Sequence, residues 1–361
     1  MDRNLSISSF KRVMSRAPKA FLLFLAIVII VECTIYYASP FIAGYSAYTG
    51  IIARYRVSLQ PDTNRDILIF GDSTAGVGIS PKRLYENTGL TCANLATRAG
   101  TTVAANYFLF QNYLKNNNPP EYIVLMRMFH GWPSDSGYRT FELLLGNLPG
   151  KAPELLTDVR LIGGNYADLL RQVPHYLLPS QMNRGALRRI VKLLTAEKQK
   201  IPEVLTASRE KMTEREQYIL GEIPYSIGSE GTPEQREVGL DKKLKFVSDR
   251  EFSVSSWNSY YLEQLITLAD QNEMTVFICL PPVRREIYED DSGREFLNAS
   301  KAFIYDVCAS HDNVVLLTDD FYFVGADQIR DNGNHLNEEE GIIFTDMLAQ
   351  KISAYQDSHG K

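Results

Sequence analysis

Two short segments carry the residue types that nucleophilic catalysis by a serine requires. Ile67-Leu-Ile-Phe-Gly-Asp-Ser-Thr74 runs an apolar, β-type stretch straight into a Gly-Asp-Ser turn, so that a strand end would present the Ser73 hydroxyl. Far downstream, Asp331-Asn-Gly-Asn-His-Leu-Asn337 sets His335 near an acidic residue just before the last predicted helix. A serine hydroxyl is a poor nucleophile until an imidazole takes its proton, and the imidazole needs a third group to fix its tautomer and balance its charge. Gly-Asp-Ser alone is a common turn sequence. Its place at a strand end, together with the distant histidine, makes Ser73 the candidate nucleophile and His335 the candidate base. His175, His311 and His359 read as surface or hydrogen-bonded histidines.

An α/β framework would bring the two segments together. Apolar runs at 67–70, 92–96, 122–128, 274–280 and 313–317, rich in Ile, Val and Leu and bounded by turn residues, read as buried parallel strands. Helical patterns at about 80–87, 102–116, 255–272, 293–310 and 338–355 alternate with them, as expected of a doubly wound parallel sheet in a flavodoxin-like, three-layer arrangement. Ligands of such sheets bind at the carboxyl ends of the strands, which is where Ser73 falls. Residues 134–250 interrupt the alternation with a polar, helical insertion too long for an ordinary loop, and they read as a subdomain or lid. Within it, Leu187, Ile190, Val191 and Leu194 share a helical stripe amid Arg188, Arg189, Lys192, Lys198 and Lys200. That pattern fits a surface helix packed on the main domain, with a membrane-surface or partner-docking helix as the alternative.

Residues 20–38 are apolar and long enough to cross a bilayer as a helix, with Glu32 in the outer half and Tyr36 and Tyr37 suited to an interface. Arg3, Lys11, Arg12, Arg16 and Lys19 all precede this span. The positive-inside rule therefore leaves residues 1–19 in the cytoplasm and the rest outside, as in a single-pass protein of a cytoplasmic or inner membrane, periplasmic where a second membrane exists. A cleaved signal peptide is the rival reading; cleavage after Ala38 would put bulky Tyr36 where a small residue is required. Residues 39–64 read as a stem without strong period, followed by a catalytic-type domain of 65–133 and 251–361. Outside the N-terminal tail and span, 33 basic face 41 acidic residues, a balance that argues against a nucleic-acid-binding body. Cys33, Cys92, Cys279 and Cys308 form no metal-binding spacing, so neither a metal nor a cofactor is expected.

The Gly-Asp-Ser block and the terminal His-Leu-Asn segment followed by Gly341 resemble the SGNH/GDSL hydrolase superfamily over residues 64–130 and 255–355. The likeness is to membrane-anchored bacterial members that modify envelope glycans, such as alginate O-acetylation proteins and the D-alanyl transfer protein of teichoic-acid synthesis. The resemblance implies an acyl-Ser73 intermediate, an envelope carbohydrate substrate and, for acyl transfer outside the cytoplasm, a multispanning partner that exports the activated acyl group. It also implies an oxyanion site built from the Ser73 and Gly100 N–H groups, with Asp72 shaping the serine turn. The family spacing is Asp-x-x-His, whereas here Asn332 stands three residues before His335 and Asp331 stands four before. Asp331 is nominated as the acid, with Gly333 letting the loop absorb the extra residue. The family's third oxyanion donor, an Asn after the third strand, is missing. Arg127 and His130 stand in that region, either facing the site or serving strand-end packing or an ion pair. The departures leave a second reading open: a catalytically weak or inactive glycan-binding or scaffold protein of an envelope polysaccharide synthesis complex.

Overall fold

The computed structural model describes residues 7–46, 49–98, 101–134, 180, 183–224, 231–331 and 335–359. The chain divides into two compact units.

The first unit joins the N-terminal 49 residues to residues 170–212. Helix α1, Ile7–Ile42, continues into a 3-10 turn, Ala43–Tyr45. It exceeds the expected span at both ends, and its apolar part, Phe21–Tyr45, is long and apolar enough to cross a membrane, exposed along its most apolar stretch and buried only at Ile42–Gly44. Glu32 accepts hydrogen bonds from the Ser180 backbone N–H at 2.8 Å and hydroxyl at 2.5 Å. The 3-10 turn accounts for a glycine, because a Cβ on Gly44 would lie 2.1 Å from the Ser208 carbonyl oxygen while Gly44 N–H donates to the Ser208 hydroxyl.

The second unit, residues 50–169 and 213–361, holds the sheet. The expected stem is largely a helix, α2 (Thr49–Leu59), which buries Ile51, Ala53 and Val57; its stripe is short enough to have hidden among the aromatics around it. Strand β1 (Ile67–Gly71) leads through α3 (Ser73–Gly78) and α4 (Pro81–Thr88) to β2 (Cys92–Asn94), then α5 (Val103–Leu114) and β3 (Tyr122–Met126). Pro81 opens α4 behind a Ser80 cap, and Gly89 closes it in the left-handed conformation, at φ 73°. β1 and β3 are buried along their whole length, which explains apolar runs without polar alternation.

The described part of 134–250 is helical. Helix α6 (Arg184–Thr195) packs against the 3-10 turn after α1 and buries Ala186 and Leu193, while of the expected stripe Val191 is exposed and Leu187, Ile190 and Leu194 are half-buried. It is followed by α7 (Ile201–Ile219) and α8 (Pro233–Ser248), the latter opened by a Thr232–Gln235 capping box. Residues 135–179 of the expected lid lie outside the described residues. The chain then runs through α9 (Ser256–Asp270), β4 (Thr275–Cys279), β5 (Pro282–Arg284), α10 (Arg285–Glu289), α11 (Asp291–Ser310), β6 (Val314–Leu316), β7 (Tyr322–Val324) and α12 (Glu338–His359).

The result is an α/β architecture. Five strands form one sheet in the order β2-β1-β3-β4-β6, every pairing parallel, while β5 and β7 make a separate parallel pair absent from the expected pattern. Three-residue strands such as β5 and β7 carry too few side chains to establish a period. Strand order reverses across β1 and β3, and at such a reversal the loops leaving the carboxyl ends diverge and open a crevice.

Candidate active site

The serine turn is built at the carboxyl end of β1. Gly71 adopts φ 134°, and a Cβ there would sit 1.8 Å from the Met126 carbonyl oxygen, so only glycine lets β1 stay in register with β3 (Gly71 opposite Met126) while the chain turns. Its carbonyl accepts from Thr97 N–H at 2.9 Å and from the Asn106 side-chain amide at 3.1 Å. Asp72 is fully buried and acts as a cap: one oxygen accepts from Thr74 N–H at 2.9 Å and the other from Met128 N–H at 3.0 Å. It thus ties the serine turn to the loop after β3 and makes no hydrogen bond to His335 among the described residues, in keeping with a shaping role. Ser73 follows at the first position of α3, half-buried. Buried Asn94, at the end of β2, donates to the Ala75 and Ile79 carbonyls at 3.0 and 2.9 Å and accepts from Ala96 N–H, which fixes α3 from beneath.

His335 reaches Ser73 from the last connection of the chain. Ile329 and Leu336 form an antiparallel bridge, with Arg330 N–H donating to the His335 carbonyl and Asn337 N–H to the Gln328 carbonyl, both at 2.9 Å. Leu336 is buried in the core, and its Cδ1 lies 3.7 Å from the Cβ position of Gly78 on α3. The Asn337 side chain accepts from Glu340 N–H at 2.8 Å and starts α12. The three residues of His-Leu-Asn therefore divide the work into imidazole, core anchor and helix cap. Helix α12 is itself locked to the serine side. Ser80 N–H donates to the Thr345 hydroxyl, and Arg83 makes a two-pronged ion pair with Asp346 at 2.7 and 2.9 Å.

These supports bring three side chains into line. His335 Nε2 lies 2.9 Å from Ser73 Oγ, and His335 Nδ1 lies 2.8 Å from Asp331 Oδ2. The imidazole is 18% exposed and the carboxylate 32%, so the line opens to solvent at the acid end. With a carboxylate on Nδ1, the neutral ring carries its proton there and leaves Nε2 free to accept the serine proton. Asp331 thus meets the ring despite the longer spacing, whereas Asn332 and Gly333 lie outside the described residues, as does Gly100.

The loop after β3 carries Arg127 and His130. Arg127 is buried, and its guanidinium turns back to donate to the Thr101 and Gly131 carbonyls at 2.6 and 3.0 Å, bracing the loop after β2; burial lowers its pKa and Asp72 opposes the drop. Asn258 of α9 holds the loop after β3 through the Gly131, Trp132 and Ser134 carbonyls. His130 sits in a 3-10 turn, Phe129–Gly131, against Phe246 of α8, and accepts from Lys243. Burial, then the neighbouring charges of Lys243, Arg127 and His335, hold its pKa well below 6.5. Lys243 went unnoticed in the sequence. The available signal was its position on the stripe of α8 that buries Gly239, Leu240 and Val247, where a lysine is out of place. Among the described residues there is no group of His, Cys, Asp and Glu able to hold a metal ion. No protein-family model, curated protein or solved structure matches this chain.

Proposed function

We propose that the protein is a serine-dependent acyltransferase or esterase of the SGNH/GDSL type, acting outside the cytoplasm on a cell-envelope carbohydrate and moving an acyl group, by preference acetyl. The observation that carries this reading is the Ser73–His335–Asp331 line at 2.9 and 2.8 Å, drawn from opposite ends of the chain. The Ser73 oxygen attacks the acyl carbon as its proton passes to His335 Nε2. Collapse of the tetrahedral intermediate breaks the ester C–O bond, and the departing alcohol takes that proton. A carbohydrate hydroxyl or water then attacks acyl-Ser73, giving its proton to His335, and Ser73 recovers it on release. The strand order, with its reversal beside Ser73, agrees with a doubly wound SGNH-like sheet. The N-terminal apolar helix agrees with a membrane anchor, N-terminus inside, and transfer would then draw on a multispanning partner for the activated acyl group.

The competing reading, a glycan-binding scaffold, does not need the hydroxyl. Full-length protein and its Ser73→Ala variant are incubated with a chromogenic acetyl ester, and the intact protein is weighed after exposure to acyl donors. Ester cleavage by the wild type alone, with an acyl adduct on the peptide containing Ser73, is the expected outcome. Equal rates for the two proteins, or an adduct elsewhere only, would remove Ser73 from the mechanism.

A further inference from the structure

We propose that Lys243, held by His130, supplies the cation that stabilises the negative charge developing on the acyl oxygen during reaction at Ser73; this rests on the serine-transfer reading above. Three observations converge on it. First, the loop bearing His130 lies against the serine turn. Gly71 is in register with Met126, Met128 N–H donates to Asp72 at 3.0 Å, and His130 follows two residues later. Second, Lys243 Nζ lies 2.8 Å from His130 Nε2 and 3.2 Å from Nδ1, and no carboxylate among the described residues forms an ion pair with it. A lysine drawn onto the buried stripe of its helix without an ion-pair partner is costly to the fold, which is the pattern of a charge kept for the chemistry. Third, it lies within electrostatic reach of Asp331, the acid of the Ser73–His335–Asp331 line, and of Asp72 in the serine turn. Burial lowers its pKa to about 8, Asp72 and Asp331 work against that drop, and Lys242 adds to it; His130 in turn senses Arg127 and His335. Arg127 commits only Nη2, to the Thr101 and Gly131 carbonyls, and its buried Nε and Nη1 make no hydrogen bond among the described residues.

The test uses the full chain in detergent and a fluorophosphonate probe. Ser73 Oγ bonds to phosphorus, the P–F bond breaks, fluoride leaves, the serine proton goes to His335, and the phosphoryl oxygen carries the charge that Lys243 stabilises. The rate of Ser73 labelling is followed by mass spectrometry. Lys243→Met is expected to slow labelling by roughly 100-fold, the effect of removing one oxyanion-stabilising group. Lys243→Arg is expected to keep most of the rate, and Lys242→Met, at an exposed neighbour, all of it. The wild-type rate should fall as pH rises through about 8, where the lysine loses its proton, and that fall should vanish in Lys243→Met. Equal rates for wild type and a folded Lys243→Met, or an alkaline fall that persists in the variant, would overturn the proposal while leaving Ser73 as nucleophile. Failure of the wild type to label at Ser73 would instead overturn the serine-transfer reading and this proposal with it.

Discussion

Replacing Asp331 by Asn keeps the shape of the site and removes one charge. During attack His335 becomes an imidazolium whose Nδ1 lies 2.8 Å from Asp331 Oδ2. Two unit charges at that separation attract by about 6 kcal/mol at an effective dielectric constant of about 20. Water reaches the carboxylate, which is 32% exposed, and trims this to about 4–5 kcal/mol. Lost from the transition state alone, that is a fall of about 10³- to 10⁴-fold in kcat. The upper end matches the roughly 10⁴-fold loss that exchanging acid for amide causes in a serine triad. The assay is hydrolysis of a chromogenic acetyl ester by wild type, Asp331→Asn and Ser73→Ala. Melting temperatures should stay nearly level, because a partly exposed pair contributes about 0–1 kcal/mol to folding. A folded Asp331→Asn variant with kcat within tenfold of wild type, beside an inactive Ser73→Ala, would refute the role given to this carboxylate.

Gly71→Ala should fail more drastically, since its Cβ would meet the Met126 carbonyl at 1.8 Å in a backbone region side chains avoid; a urea midpoint equal to wild type would contradict the geometry. Asn94→Ala strands two carbonyls and an N–H in the core and should lower stability by about 2–4 kcal/mol in urea titration, loosening the helix that carries Ser73. Lys243→Met should raise stability at pH 7 by about 1–3 kcal/mol, because the fold disfavours this charge. Between pH 8 and 10.5 the unfolded lysine binds more protons than the folded one, so wild-type stability rises there and the gap should close; a gap independent of pH would refute the cause.

Much of this arrangement was legible in the residues. The sheet strands follow from their apolar runs because β1, β3 and nearly all of β4 are buried on both faces, and Ser73 and His335 stand out because the turn and the cap around them have recognisable chemistry. Strand ends were overrun by a residue or two, as at Leu95–Ala96, which remain buried after leaving the ladder. What stayed hidden depends on tertiary placement. Nothing local in Arg127 tells that it braces carbonyls, and nothing local in Asn258 tells that it holds three of them. Lys243 acquires meaning only once α8 sets it beside His130. Whether Asp331 meets the ring was equally beyond spacing rules, since the bridge between Ile329 and Leu336 decides it.

The wide separation of hydroxyl and imidazole along the chain, 262 positions, also orders events in time. While the polypeptide is being synthesised, the Ser73 hydroxyl emerges early, and its imidazole partner arrives only once the closing segment and helix have been made and docked. Such long-range closure slows folding. On the serine-transfer reading, an unfinished or C-terminally clipped chain would hold an unactivated serine.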